Sequence, residues 1–311
     1  MFDVVGVLVL VVLSLLFGFL AARAWQAKNV LVRWVGTLLA AIPTLVFALA
    51  AGLALYGYAK VNQRHSNPVA DITVARTDEQ AARGMKIARA CAGCHSANGD
   101  LPLTGQRFEG PPIGDLYAAN LTPTHLQDWS DGEIIRAIRE GVHKDGRSLI
   151  IMPSAIFRNL SDEDVQALVA YLRSTEPVEP DTPPTRVNVV GAIMASALPL
   201  FSVQPPISAP VVAPPAGPTT EYGGYLVAAS GCRECHGGDL RGGEAGGFAP
   251  SGPPIANIAE RWSEQEFVNT LRTGVRSDGV PLGPGMPWRD YELFSDDDFR
   301  AIYLYLKAGQ P

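Results

Sequence analysis

The sequence predicts an all-α protein in which a two-helix transmembrane hairpin precedes two tandem small domains joined by a Pro-rich linker. Three observations support this fold class. Uncharged stretches cover residues 4–22 and 35–58, the remaining chain repeats itself once, and 11 of the 25 prolines lie within residues 176–219. A tract so rich in proline cannot sustain a helix or a central strand, so we expect it to act as a semi-rigid spacer.

The two uncharged stretches are long enough to cross a bilayer. As helices they would span roughly 29 and 36 Å, against about 30 Å of hydrocarbon. The start of the chain lacks the basic residues of a cleavable signal peptide, so we predict a retained hairpin over residues 1–60. Three basic residues between the stretches place the connector on the inner side of the membrane, and these are Arg23, Lys28 and Arg33.

Small residues on the second stretch predict close packing against helices of a membrane-embedded partner. They surround Pro43 and are Gly36, Ala40, Ala41, Ala48, Ala51 and Gly52.

Two CxxCH pentapeptides carry the chemistry of the chain. CxxCH is the attachment signature of c-type haem: both thiols add to the vinyl groups, and the His is the proximal ligand of the iron. The sequence therefore predicts two covalently attached haem c groups. The attachment residues are Cys91, Cys94 and His95 in the first motif and Cys232, Cys235 and His236 in the second, and the chain has no other cysteine.

A structural zinc site, a redox dithiol and two short disulfides are the alternatives. Paired CxxC zinc motifs usually lie about 15–20 residues apart, whereas Cys91 and Cys232 are 141 residues apart. None of these alternatives explains a His after both pairs. Covalent haem attachment takes place outside the cytoplasmic membrane, so we expect a two-pass protein of the bacterial inner membrane with both motifs on the periplasmic side.

The rest of the chain is an internal duplication. We predict a tether at 61–77, a first domain at 78–176, the linker at 177–218 and a second domain at 219–311. The first copy is eight residues longer between its haem-motif His and its Trp. The paired landmarks are Gly110-Pro111-Pro112 with Gly252-Pro253-Pro254, Trp129-Ser130 with Trp262-Ser263, Met152-Pro153 with Met286-Pro287, and Ser161 with Ser295.

Each copy has the pattern of three helices. The opening helix runs into CxxCH, the middle helix starts after Trp-Ser, and the closing helix starts at Ser161 or Ser295. The acidic triplets after these two serines favour ordinary N-caps with carboxylates in the first turn, with a metal site or docking patch as the alternative. Gly84 and Gly224 on the opening helices are expected to let the closing-helix aromatics Tyr171 and Tyr305 pack closely.

Several motifs together resemble a known family, the membrane-associated multi-haem cytochrome c subunits of bacterial respiratory dehydrogenases for alcohols and sugar acids. The resemblance covers residues 78–176 and, less closely, 219–311, and it implies two tandem cytochrome c-like haem domains. The chain differs in having two haem motifs instead of three and its anchor at the start. Its architecture is also similar to the dihaem subunit of cbb3-type oxidases. The motifs are Ala119-Asn120-Leu121-Thr122-Pro123, Gly141-Val142, Asp145-Gly146-Arg147 and Met152-Pro153.

The repeat indicates which residues could bind each iron on the side opposite the haem-motif His. The second copy contains no His besides His236, and only Met152 and Met286 among the five Met occupy equivalent places, 57 and 50 residues after the haem-motif His. The resemblance to class I cytochromes c implies that both are axial ligands, which raise the reduction potential.

The same resemblance implies which residues surround each iron. In class I cytochromes the proximal His donates to the carbonyl of a Pro in a Gly-Pro loop, which implies Pro111 and Pro253 here, with the following prolines as alternatives. Trp129 and Trp262 are candidates for packing on haem or donating to its propionates, with simple core packing as the alternative. His125 and His143 are expected to lie in exposed loops and not to bind iron.

Two saturated irons exchange only electrons, so we predict a subunit of a respiratory or photosynthetic electron-transfer complex that is not itself an enzyme. Beyond residue 60 the chain carries 21 basic and 30 acidic side chains, a net charge of −9. This disfavours nucleic acid and favours a basic patch on a redox donor or acceptor protein. The alternatives are a dihaem peroxidase with an open iron site, a haem sensor or scaffold, and an electron-input subunit of a cbb3-type oxidase.

Overall fold

The structure, a computed structural model, describes residues 3–108, 113–198, 203–243 and 250–309. It is predominantly helical, which confirms the predicted fold class. The helices are α1 (Val4–Trp25), α2 (Thr37–Val61), α3 (Asp78–His95), α4 (Pro123–Leu126), α5 (Asp131–Glu140), α6 (Ser154–Phe157), α7 (Asp162–Ser174), α8 (Val189–Ala197), α9 (Thr220–Ala229), α10 (Cys232–His236), α11 (Glu264–Thr273) and α12 (Asp296–Lys307). The strands are β1 (Gln106–Arg107), β2 (Gly114–Asp115), β3 (Tyr117–Ala118) and β4 (Arg186–Val187), and the antiparallel pairs are β1 with β3 and β2 with β4.

Helices α1 and α2 form the N-terminal hairpin. Both are long and apolar enough to cross a membrane, and most of their large apolar side chains are exposed. The Ser14 hydroxyl of α1 donates to the Thr44 carbonyl of α2 across 3.1 Å. Pro43 lies inside α2 and lacks the N–H that would otherwise bond the Leu39 carbonyl.

The linker contains helix α8, which packs on α2. The expectation that the whole tract cannot sustain a helix is therefore wrong, because the segment Val189–Ala197 contains no proline. A Cβ added to Gly57 would lie 1.7 Å from the Ala192 carbonyl oxygen, so the two backbones touch there. The Tyr58 hydroxyl donates to the Val187 carbonyl across 3.3 Å and accepts from the Asp3 N–H across 3.2 Å. Hairpin, first domain and linker thereby share one core. We call it the hairpin cluster, and its buried members are Val7, Ala54, Tyr58, Ile113, Leu116, Val187 and Ala192.

The tether lies along the first domain. The Val74 N–H donates to Asp131 across 2.9 Å, and the His65 N–H donates to the Gly146 carbonyl across 2.8 Å. The tether is therefore part of the folded domain surface.

Glu140, at the end of α5, holds tether and linker together. Its carboxylate accepts from the Asn67 side chain across 2.7 Å and from the Ile207 N–H across 3.2 Å, while its carbonyl accepts from the Gln204 N–H across 2.9 Å. Glu140 is buried, so these bonds are needed to offset its loss of hydration.

The opening and closing helices cross at a glycine in both domains. A Cβ on Gly84 would lie 1.9 Å from the Ala167 carbonyl oxygen, and one on Gly223 would lie 1.9 Å from that of Ala301. Gly84 also lies against Tyr171, and Gly224 lies against the ring of Tyr305, so the close packing expected of these two aromatic side chains is present.

The serines predicted to start helices are N-caps. Ser130, Ser263 and Ser295 form complete capping boxes, and the Ser161 side chain accepts from the Asp164 N–H across 3.1 Å. The acidic triplets thus begin ordinary helices.

The two domains meet through contacts that are nearly equivalent in both directions. Lys86 of α3 forms an ion pair with Asp298 of α12, and the Tyr225 hydroxyl of α9 donates to Asp164 of α7. Lys86 and Tyr225 each follow the crossing glycine by two residues, and each Asp is the third residue after its cap serine. We call these four residues the reciprocal interface.

The segments after the two axial-ligand candidates extend the same pattern. Helix α6 packs against α9 of the second domain, and the 3-10 turn Trp288–Tyr291 packs against α3 of the first. Each begins two residues after its Met. The segment that follows each Met therefore packs against the opening helix of the other domain.

Candidate haem sites

In the first domain, helix α3 continues without a break through the CxxCH motif. Cys91 is buried, Cys94 is exposed, and His95 ends the helix. His95 Nδ1 donates to the Ala119 carbonyl across 2.8 Å, which leaves the Nε2 lone pair for a metal. Burial lowers the pKa of His95 below its ordinary value, with the bond to Ala119 opposing, so the ring is neutral, as iron ligation requires.

The acceptor for His95 is a correction to the sequence prediction, which named Pro111. Pro111 lies outside the described residues, and the structure gives the role to Ala119. The reason is strand pairing, since β1 and β3 bring the end of β3 back to the haem motif. The clue available in the sequence was the Ala119–Pro123 motif, because its buried Asn120 anchors the segment through a 2.8 Å bond to the Val178 carbonyl.

In the second domain the opening helix breaks before the motif. Helix α9 ends at Ala229, Gly231 adopts the left-handed region at φ 70°, and α10 starts at Cys232. His236 Nδ1 lies 2.7 Å from the Pro253 carbonyl oxygen. Pro253 thus occupies the place for which the sequence named it, and His236 also presents Nε2 as the free ligand atom.

The four thiols fit haem attachment better than the alternatives. All are free, so the structure contains no disulfide between them. Burial raises the pKa of Cys91 to about 12 and that of Cys232 to about 11, whereas a reactive redox dithiol has a lowered pKa. Within the described ranges, no group of three or more His, Cys, Asp or Glu is placed to hold a metal ion. Two thiols beside an oriented His are the donor set that haem c uses.

The candidate axial ligands differ in their surroundings. Met152 is half-buried and packs against the core cluster that contains Cys91. Met286 is also half-buried, but the three residues before it, 283–285, are exposed. As ligands of the iron in each domain, both remain predictions.

Trp129 and Trp262 both belong to domain cores. Trp129 is buried with its ring centroid 4.7 Å from that of His143, and Trp262 packs partly buried against the second core. His143 is less exposed than expected. Burial lowers its pKa below the ordinary value, and the charge of Arg147 adds to this effect.

The two sites adjoin at Asp290, which belongs to the turn that packs on α3. Its charge acts on both Cys91 and Cys94 of the first motif. Burial raises the pKa of Asp290 to about 6, against the lowering effect of Arg89. Arg89 in turn forms an ion pair with Glu292, with Nε and Oε1 3.0 Å apart. A residue of the second domain therefore lies beside the attachment residues of the first.

Sequence comparison agrees with this geometry in both domains. Residues 81–176 match the family described as cytochrome c, and residues 219–306 match that described as cytochrome c oxidase, cbb3-type, subunit III. Both matches are to cytochrome c-type domains. Cytochrome c domains carry covalently bound haem c, which accounts for the CxxCH motifs and the two oriented histidines.

Dehydrogenase subunits are similar to about three quarters of the chain. A nicotinate dehydrogenase subunit from Pseudomonas putida is 33% identical over 260 residues, covering 74% of this chain and 21% of the relative. The cytochrome c subunit of a quinone alcohol dehydrogenase from Gluconacetobacter polyoxogenes is 32% identical, covering 74% and 56%. The gluconate 2-dehydrogenase cytochrome c subunit of Pantoea cypripedii is 31% identical, covering 73% and 58%. The chain spans little more than half the length of the last two relatives and about a fifth of the first.

Proposed function

We propose that this chain is a membrane-anchored dihaem cytochrome c that relays single electrons on the extracytoplasmic face as a subunit of a dehydrogenase complex. The observation that carries this proposal is the paired site. Each domain has a CxxCH motif whose His has Nδ1 held by a carbonyl, and a Met at an equivalent later position. The names of the relatives support the dehydrogenase assignment.

Within each domain the residues have distinct roles in this proposal. Haem c, when bound, supplies a one-electron Fe(III)/Fe(II) couple. The cysteines would hold it covalently, the His and Met would bind its iron, and the Ala119 or Pro253 carbonyl fixes the imidazole tautomer. Because no axial position stays open, the chain exchanges electrons without binding a substrate.

The interface between the domains favours transfer within the chain. Asp290 of the second domain lies beside Cys91 and Cys94, and the reciprocal interface holds the domains in one relative arrangement. A fixed arrangement keeps the two haem sites at a constant separation. Electron transfer between the two haems would therefore take place within one subunit.

The hairpin supports anchoring in the bacterial inner membrane, with both domains in the periplasm. Helices α1 and α2 expose apolar side chains along their length, and the basic connector favours the cytoplasmic side. We infer that membrane-embedded subunits bind the hairpin and that the catalytic dehydrogenase subunit and a redox acceptor bind the domains. The net negative charge of the domains favours a basic surface on the soluble partner.

Spectroscopy and potentiometry of the axial-ligand variants test the proposal. Met152→His and Met286→His should each remove about half of the weak far-red ferric band that the family resemblance implies for Met ligation, and each should lower one midpoint potential. Met85→Leu is the control, since Met85 is exposed and has no counterpart in the second copy. A band and potentials unchanged in either His variant would refute the ligand assignment.

An oxidase-side role is the second candidate, because the second domain matches the cbb3-type subunit III family. Purification in mild detergent distinguishes the two roles by the chains that co-purify, a dehydrogenase subunit or an oxidase subunit. A peroxidase would instead require one open iron site, so a high-spin ferric fraction in the purified protein would favour that class.

A further inference from the structure

Ile151, directly before Met152, has an unusual backbone conformation. Its φ is 65°, in the left-handed region that β-branched residues rarely adopt. Such a conformation persists only where the surrounding structure enforces it, and it is commonly found at functional sites. We therefore asked what holds Ile151 in place.

Ile151 and Met152 pack into different cores. Ile150 and Ile151 lie against the hairpin cluster, whereas Met152 lies against the core of the first domain that contains Cys91. One peptide bond thus joins a residue held by the membrane hairpin and the linker to the proposed axial ligand.

Backbone hydrogen bonds fix the segment on both sides of Ile151. The Leu149 N–H donates to the Gly141 carbonyl across 2.8 Å, and the Met152 carbonyl accepts from the Ser154 N–H across 2.9 Å. With both flanks held, the Ile151 side chain in the hairpin cluster sets the direction in which Met152 leaves the backbone.

The second domain lacks this arrangement. Gly285 occupies the position before Met286, outside the left-handed region, and residues 283–285 are exposed. The flanking bonds are similar, with Leu282 N–H to the Gly274 carbonyl at 2.7 Å and Trp288 N–H to the Met286 carbonyl at 2.9 Å. The two methionine loops differ in the side chain before Met and the core that receives it. The second loop is also one residue longer, and its Met286 N–H donates to the Gly283 carbonyl across 2.9 Å.

We propose that Ile151 is a positioning residue for Met152 and that the hairpin cluster, acting through Ile151, holds Met152 on the iron. The inference rests on the proposed function, because it takes both methionines as axial ligands. It follows that Met286 is displaced by a competing ligand more easily than Met152. It also follows that a change in the membrane hairpin reaches the ligand of the first haem.

Imidazole competition in the full-length ferric holoprotein in detergent tests this proposal. In a Met286→His background, the remaining far-red band reports on Met152 alone. Adding Ile151→Gly should lower the imidazole concentration that removes half of this band by roughly tenfold, the factor expected for one strained and anchored position. Ile138→Ala is the control, because it truncates a buried side chain of the first-domain core that does not belong to the hairpin cluster.

A second variant tests the hairpin itself and is conservative enough to preserve folding. Tyr58→Phe removes the hydroxyl that bonds Asp3 to Val187 in the hairpin cluster, and it should lower the half-effective imidazole concentration by roughly threefold. An unchanged imidazole response in both variants, or an equal change in Ile138→Ala, would overturn the inference while leaving the ligand assignment intact. Absence of the band from the Met286→His background itself would refute the ligation and the inference together.

Discussion

The two cytochrome domains share a fold but are attached to the rest of the chain in different ways. The first is bound by the hairpin cluster, the tether and the linker. The second contacts the remainder of the described chain mainly through the reciprocal interface and the neighbouring turns. The repeated helices thus define the cofactor site, whereas the segments outside the repeat define how firmly each site is fixed to the membrane anchor.

The eight extra residues of the first domain account for much of this difference. They belong to the region that contains β1, β2 and β3. Ile113 and Leu116 from this region enter the hairpin cluster, and β2 pairs with β4 of the linker. The same region brings Ala119 to His95. An insertion in the loop after the haem motif therefore serves both as a membrane-side contact and as a support for the proximal ligand.

The largest expected effect concerns the helix crossing that both domains share. Gly84→Ala and Gly223→Ala should each destabilise their domain by about 3 kcal/mol, because the new Cβ would overlap the carbonyl of Ala167 or Ala301. Chemical unfolding followed by haem absorbance measures this. Gly93→Ala is the control, since its Cβ would meet nothing within 4 Å, and it should be neutral or slightly stabilising. Equal stability of all three variants would contradict the described crossing.

The next effect distinguishes the two halves of the reciprocal interface. Lys86→Met should cost about 2 kcal/mol, because it leaves the buried Asp298 without its cation. Tyr225→Phe should cost about 1 kcal/mol, since Asp164 keeps Arg83 at 2.7 Å. Thermal unfolding of the holoprotein measures both. A larger loss for Tyr225→Phe would reverse the proposed ranking.

The Lys86 effect should also depend on pH. Burial raises the pKa of Asp298, but the hydrogen bond and charge of Lys86 outweigh it and hold the pKa below its ordinary value. A carboxylate with a lowered pKa stabilises the fold above its unfolded pKa, near 4, and loses this contribution as the pH falls towards the folded value. The difference between Lys86→Met and the parent should therefore narrow below about pH 4 in the same unfolding measurement.

A smaller effect concerns the attachment of the tether and the linker to the first domain. Glu140→Gln should cost about 1 kcal/mol, because an amide cannot accept at both oxygens from Asn67 and Ile207. Limited proteolysis should show faster cleavage of residues 62–77 and 203–211. Glu163→Gln is the control, since Glu163 is exposed and should not change cleavage there.

The smallest expected effect concerns the loops that follow the middle helices, which contain Asp145 in the first domain and Asp278 in the second. Burial raises the pKa of Asp145, but hydrogen bonds from the backbone and side chain of Arg147 outweigh it and lower the pKa, and Arg276 lowers that of Asp278. Asp145 also pairs with Arg64 of the tether at 2.9 Å. Asp145→Asn should therefore cost about 0.5 kcal/mol at pH 7 and lower the thermal midpoint more than Asp278→Asn. Both differences should shrink as the pH falls below about 4, and a larger shift for Asp278→Asn would contradict the tether contact.

The sequence predicted features that depend on local pattern. The haem motifs, the cap serines and the crossing at Gly84 follow from residues within one or two helical turns, and the structure has the caps and that crossing as expected. The Ala119 contact and the left-handed Ile151 depend on pairings between distant segments, which no local pattern encodes. The Pro111 prediction relied on the repeat, in which Pro111 follows His95 by 16 residues and Pro253 follows His236 by 17, whereas the structure pairs His95 with the Ala119 carbonyl.

The near-equivalent contacts between the domains have an evolutionary consequence. A surface that meets its own copy is what two identical single-domain subunits would form around a two-fold axis. Once fused into one polypeptide, such partners are free to diverge separately, and the equivalent positions Lys86 and Tyr225 now bind Asp298 and Asp164 in different ways. A fused pair of this kind would let one copy specialise in contact with the apolar hairpin, as the first domain does here.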